Sequence, residues 1–235
     1  MLATDLVSIL ERHTAQFHPV IRLQQNDKIA SLDLSSSNAA FTPSVYSDTD
    51  KLSAFIEEQK EKAGVTCLVG GYKEKREMYR RSELFDKSLS GEKYASEEPR
   101  SLHLGIDIWG AAGTKVYPPL GGMVHSFAYN NHFGDYGATI ILQHQLETIN
   151  FYTLYGHLAL KDIEGLRAGR FFTRGEHFAH FGEPAENGNW PPHLHFQVII
   201  DMLHYEGDYP GVCKMSEAAK YLHNSPDPTP MLKFG

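Results

Sequence analysis

The chain has 235 residues, 41% of them hydrophobic, which suffices for one good-sized core with a smaller appendage. Its net charge of −7 argues against a nucleic-acid or anionic-membrane surface and fits poorly with adhesion to an anionic cell wall. No segment approaches the roughly 18 consecutive apolar residues that a membrane span needs.

The opening "MLATDLVSILERHTAQ" carries Asp5, lacks a basic leader and has a broken apolar stretch, so it predicts an amphipathic helix rather than a secretory signal. The expectation is a cytoplasmic protein, with an exported form that has lost its leader as the alternative. Cys67 and Cys213, the only cysteines, are then expected as buried, reduced thiols. "SDTDKLSAFIEEQKEKAG" predicts a helix, with cap candidates at Ser47 and Asp48, Leu52, Phe55 and Ile56 on one face, and Gly64 as its stop. "VTCLVGG" reads as a short strand entering a glycine turn, and "EKREMYRRSELF" as a charged segment of helical texture. The polar "GEKYASEEPR" is the best domain boundary. It divides an N-terminal α/loop extension (residues 1–100) from a second region (residues 101–235).

Beyond residue 100 the texture changes to short strands separated by glycine and proline turns. "LHLGIDIW", "TKVYPP", "GGMVHSFAY", "GATIILQH", "INFYTLYGHL", "EHFAHFG" and "HLHFQVII" are seven strand candidates. Hairpin-length connections join them, so the expected fold is α+β and β-rich, a compact antiparallel sheet. The tail predicts one short helix capped at Ser216 and a proline-rich terminus that wraps the sheet.

"WPPHLHFQVII" sets His193 and His195 two residues apart at the head of an apolar run. On a strand both rings share one face, roughly 7 Å apart, a costly arrangement in a core unless something pairs with them. His103 and Asp107 in "LHLGIDIW" are an even number of residues apart and share a strand face in the same way. Together with one histidine of the later pair they make two imidazoles and a carboxylate. That set suits Zn²⁺ with a fourth position left open, and it also resembles the facial triad of non-haem Fe(II) oxygenases.

"HLGID", "GTKVYPPLGGMV", "YGHL" and "PPHLHFQV" follow the order found in lysostaphin/LytM-type zinc metallopeptidases, and the chain resembles that family over roughly residues 100–200. The resemblance implies one Zn²⁺ held by His103, Asp107 and His195, with His157 and His193 as active-site histidines that do not bind metal. It implies endopeptidase action on a peptide or muropeptide, and the charge balance and the lack of a long apolar run add the expectation of no nucleic-acid or membrane partner. A catalytically silent binding module of the same fold is the alternative. Tyr155 is a candidate oxyanion donor, with a core position as its other reading. Family members often carry wall-binding or coiled-coil modules, and no such module is visible here. "GDYGATIILQH" and "ENGNWPPHLHF" are also more aromatic and acidic than a wall hydrolase needs. In "GGYKEKREMYRR", Tyr72, Arg76 and Arg80 stand at helical i, i+4 spacing. They predict a face that walls off one end of the groove and takes a substrate carboxylate, with a solvated charged face as the other reading.

Overall fold

The computed structural model describes residues 3–85 and 98–233. Its strands are β1 (Ile29–Ser31), β2 (Cys67–Gly70), β3 (Leu102–His103), β4 (Ile106–Trp109), β5 (Lys115–Val116) and β6 (Gly122–Asn130). They continue with β7 (Gly137–Leu146), β8 (Ile149–Leu158), β9 (Phe171–Phe172), β10 (Ala179–His180), β11 (His193–Ile199) and β12 (Val212–Cys213). One eight-stranded sheet runs in the order β1-β2-β4-β11-β8-β7-β6-β9, and β10-β5 and β12-β3 form two small ribbons. All pairings are antiparallel except β1 with β2. The fold is therefore α+β and β-rich, as the strand pattern predicted.

The first hundred residues do more than pack against this sheet. β2 pairs with β4, matching Leu68 to Trp109 and Gly70 to Asp107, so the N-terminal region supplies two strands beside the candidate metal residues. The expected boundary segment lies mostly outside the described residues. "LHLGIDIW" is two strands rather than one, because the chain leaves β3 at Leu104 and Gly105 and re-enters the large sheet as β4.

Helix α1 (Ala3–Arg12) buries Leu6, Ile9 and Leu10 at i, i+3, i+4 spacing against Phe17, Val20 and Ile21, the amphipathic pattern read from the sequence. After the short α2 (Pro43–Tyr46), helix α3 (Thr49–Ala63) starts where the Asp48 carboxylate accepts the Lys51 N–H at 3.0 Å. It stops at Gly64, whose φ of +62° lets its N–H return to Glu61 O. Its buried Leu52, Phe55 and Ile56 join Leu68, Trp109 and Trp190 in a second core, so this helix backs the aromatic wall of the site. Helix α4 (Ala218–Asn224) follows a 3-10 turn at Met215–Glu217, so Ser216 lies inside that turn and does not cap the helix. Both cysteines are buried and unlinked. Among the described residues no helix is long and apolar enough to cross a membrane.

Candidate metal centre

The pairing of β4 with β11 builds the site. Asp107 lies opposite His195 and Trp109 opposite His193, and β8 places Gly156 on the other side of His195. Strand alternation then sends Ile106, Ile108, Leu194, Phe196 and Val198 to the core and leaves Asp107, Trp109, His193 and His195 on the opposite face. His103 arrives from β3. Gly105 makes room between the two strands, because a β-carbon there would lie 2.6 Å from the His195 ring and 2.8 Å from Phe196 O.

Three donor atoms converge. His103 Nε2 lies 2.9 Å from His195 Nδ1, and Asp107 Oδ1 lies 3.1 Å from His195 Nδ1 and 3.3 Å from His103 Nε2. The outward ring nitrogens are already committed: His103 Nδ1 donates to Gly71 O and His195 Nε2 to Gln197 Oε1, each at 2.9 Å. The Gln197 amide nitrogen in turn donates to Pro210 O and Ser225 Oγ, which fixes its oxygen towards His195. With those tautomers three lone pairs face one another and no proton lies between them. Such a cluster repels itself unless a cation sits at its centre. Ligands at roughly 2.0–2.2 Å around a tetrahedral ion stand about 3.3–3.6 Å apart, so an outward shift of a few tenths of an ångström from the spacings seen fits the residues to a metal of zinc's size and donor preference.

Burial shapes the charges. His103 is pushed down to about 4 by burial, with the Arg76 guanidinium acting in the same direction. For Asp107, burial works against the carboxylate, yet His103 and Arg76 together hold it well below the usual range. Arg76 Nη1 lies 2.5 Å from Asp107 Oδ2, and its Nε lies 2.5 Å from Glu74 Oε2, so one oxygen of Asp107 is occupied and the other is left for the metal position.

His157 and His193 stand beside this cluster with ring centroids 4.0 Å apart. His193 stacks on Trp109 at 3.9 Å. His157 Nδ1 donates to Asn187 O and His193 Nδ1 to Pro191 O, both at 2.8 Å, which leaves both Nε2 atoms as acceptors. Burial lowers His157 well below the ordinary imidazole value and takes His193 to about 4, so both rings are neutral at pH 7. His157 has φ +61°, and β7 and β8 lose register between Ala138 and Ile140, so Gly156 and His157 form a bulge that re-aims the histidine.

Three sequence expectations change. Tyr155 lies in the core, fully buried between Phe178 and Phe196 and hydrogen-bonded to Thr153, and it does not line the cavity at the metal residues. Tyr72, Arg76 and Arg80 share no helical face. Tyr72 and Lys73 lie in a turn, Lys75 bridges to Leu102, and only Met78–Arg81 coil into a 3-10 turn. Arg76 is 1% exposed and bound to Asp107 and Glu74, with Nη2 as its one nitrogen that has no hydrogen-bond partner among the described residues, while Arg80 is exposed and does not line the cavity. Two aromatic residues emerge that the sequence reading did not single out. Tyr136 places its hydroxyl 3.4 Å from His195 Nε2, and the Tyr79 hydroxyl oxygen accepts from Arg76 Nη1 at 3.1 Å while its ring stacks near His103. The aromatic, acidic texture of "GDYGATIILQH" was the available signal for Tyr136.

Residues 101–206 match the model of peptidase family M23. No curated protein matches the chain in sequence. Among solved structures, it is similar to the catalytic domain of the antimicrobial peptidase lysostaphin from Staphylococcus simulans, at 20% identity over 57% of this chain and 81% of that one, with a TM-score of 0.39. A zinc-containing peptidase from Vibrio cholerae aligns at 24% identity over 49% of this chain and 34% of that one, with a TM-score of 0.34. The catalytic domain of a variant of the prophage-encoded M23 protein EnpA from Enterococcus faecalis aligns at 17% identity over 54% and 87%, with a TM-score of 0.35. The segment that matches the peptidase family M23 model is a little under half of the chain, and it holds His103, Asp107, His157, His193 and His195.

Proposed function

We propose that the chain is a zinc-dependent endopeptidase that hydrolyses a peptide bond in short peptides, muropeptides included. The observation that carries this reading is the convergence of His103 Nε2, Asp107 Oδ1 and His195 Nδ1 with no proton available between them. A zinc ion held by these three atoms would supply a Lewis acid that polarises the scissile carbonyl and acidifies a water. The chain's own residues supply the rest. The neutral Nε2 atoms of His157 and His193 accept the proton released by the attacking water and return one to the departing amine. Asn187 O and Pro191 O hold both rings in the tautomer this requires. Tyr136, beside His195 and His157, is placed to donate a hydrogen bond to the carbonyl oxygen as it gains charge.

The test is hydrolysis of a library of muropeptides and short peptides by zinc-loaded protein, read by mass spectrometry. His157→Ala and His193→Ala should keep zinc and lose about 10²–10⁴-fold in rate. Unchanged turnover in both variants, or no hydrolysis by the wild type, would contradict the proposal.

A further inference from the structure

Residues 76–85 lie outside the family-matched segment, yet Arg76, Met78, Tyr79, Leu84 and Phe85 line the cavity at the metal residues. They cross the site as a strap fixed at both ends. At one end Arg76 binds Asp107 of β4. At the other, Ser82 Oγ donates to Phe133 O at 2.5 Å, in the turn between β6 and β7. Gly134 has φ +85°, and a β-carbon there would lie 2.6 Å from Ser82 Cβ, so the turn and the strap approach as closely as backbone permits. Between these ends the Arg81 guanidinium sits over both the Phe133 and Trp190 rings, 4.8 and 4.7 Å from their centroids. Arg81 Nη2 also donates to Thr49 Oγ1 of α3 at 2.6 Å, and its Nε and Nη1 find no oxygen partner beside the covering rings. Arg100 then holds the far end of the strap through Leu84 O and the face of Phe85.

The strap turns a groove into a pocket. His103, Asp107, His193 and His195 are each at most 3% exposed, and the cavity measures about 200 Å³. Small-molecule sites typically run to roughly 300–1,000 Å³, so the space beneath the strap suits a few small residues better than an extended chain. We infer that residues 76–85 set substrate specificity by length: the site accepts a short peptide with free ends and excludes the same sequence inside a long chain. This deepens the peptidase reading and rests on it for the identity of the ligand as a peptide.

Binding can be read without turnover, because both tryptophans of the chain, Trp109 and Trp190, line the cavity and report occupancy by fluorescence. The experiment titrates zinc-loaded protein with a library of free-ended tetrapeptides, and with the same sequences embedded in longer, end-blocked peptides. The wild type should bind members of the short library at least about tenfold more tightly than their embedded counterparts, about 1.4 kcal/mol. Phe133→Ala, at an exposed position, and Arg81→Ala remove the two halves of the clamp, and neither residue itself lines the cavity. Arg81 does cover the lining Trp190 from behind the site's wall, so Trp109 serves as the reporter common to all three proteins. Each should leave short-peptide affinity within about twofold and raise that for the embedded peptides to near parity. Equal affinity for both libraries in the wild type, no binding by any short peptide, or an unchanged ratio in both folded variants would overturn the inference. Tight, length-selective binding with no hydrolysis would sink the peptidase reading and leave the strap's role standing.

Discussion

Arg76→Met removes the one guanidinium that Asp107 and Glu74 share and keeps much of its packing volume. The Arg76 side chain is 1% exposed and that of Asp107 is 3%, so the carboxylate left behind has no water to turn to. Removing one member of a buried ion pair typically costs about 3–5 kcal/mol. At roughly 2–4 °C per kcal/mol for a chain of this size, the melting temperature should fall by about 6–20 °C. The assay is calorimetric unfolding at pH 7 with a chelator present, because metal binding would stabilise both proteins by mass action and mask the difference. The deficit should also shrink towards pH 4. In the wild type Asp107 is held well below the usual carboxylate range, whereas without Arg76 its burial favours the protonated form. The acid that destabilises the wild type by protonating Asp107 therefore relieves the variant first. A drop of less than about 2 °C at pH 7, or a deficit that grows in acid, would refute the view that Arg76 supplies the countercharge of the site.

Gly71→Ala should loosen the same corner. The residue has φ +112°, and a β-carbon would lie 2.0 Å from Arg76 Nη2 and 2.8 Å from His103 Nδ1, so zinc affinity in a chelator competition should fall by roughly 10–100-fold; an unchanged affinity would contradict this. His144, far from the metal residues, is held neutral between Gly121 O and Thr153 Oγ1 and is pushed down to about 4 by burial. The unfolded chain takes up this proton below about 6.5 and the folded chain only near 4, so stability falls as pH drops through that window, by up to roughly 3 kcal/mol from this ring. His144→Gln should flatten the fall of chemical-denaturation stability between those values, and an unaltered slope would show that another group is responsible.

Periodicity made the regular elements legible. Helix α3 carries its cap, apolar face and glycine stop in consecutive residues, and β6, β7, β8 and β11 alternate or run apolar over lengths that only strands take here. The metal pair was legible from spacing, although His103 and Asp107 reach the same point from two strands rather than one. Assignment of His195 ahead of His193 came from the resemblance to a known family. What stayed hidden depends on tertiary contact. The partner of Arg76 lies 31 residues away, and nothing local distinguishes it from the neighbouring Arg80 and Arg81. Tyr155 and His157 share a face by parity, but the bulge at Gly156 and His157 breaks that parity, sending the tyrosine to the core and the histidine to the site. The charged texture of residues 74–85 gave no hint of the strap, because short 3-10 turns carry no long apolar period.

The central claim is that His103, Asp107 and His195 hold a single zinc ion. Anomalous diffraction at the zinc absorption edge, from crystals of zinc-loaded wild-type protein, tests it most directly. The account predicts one strong peak at roughly 2.0–2.2 Å from His103 Nε2, Asp107 Oδ1 and His195 Nδ1 together. A peak coordinated by His157 or His193 in place of any of these, or the absence of a peak between the three atoms at full zinc loading, would contradict it.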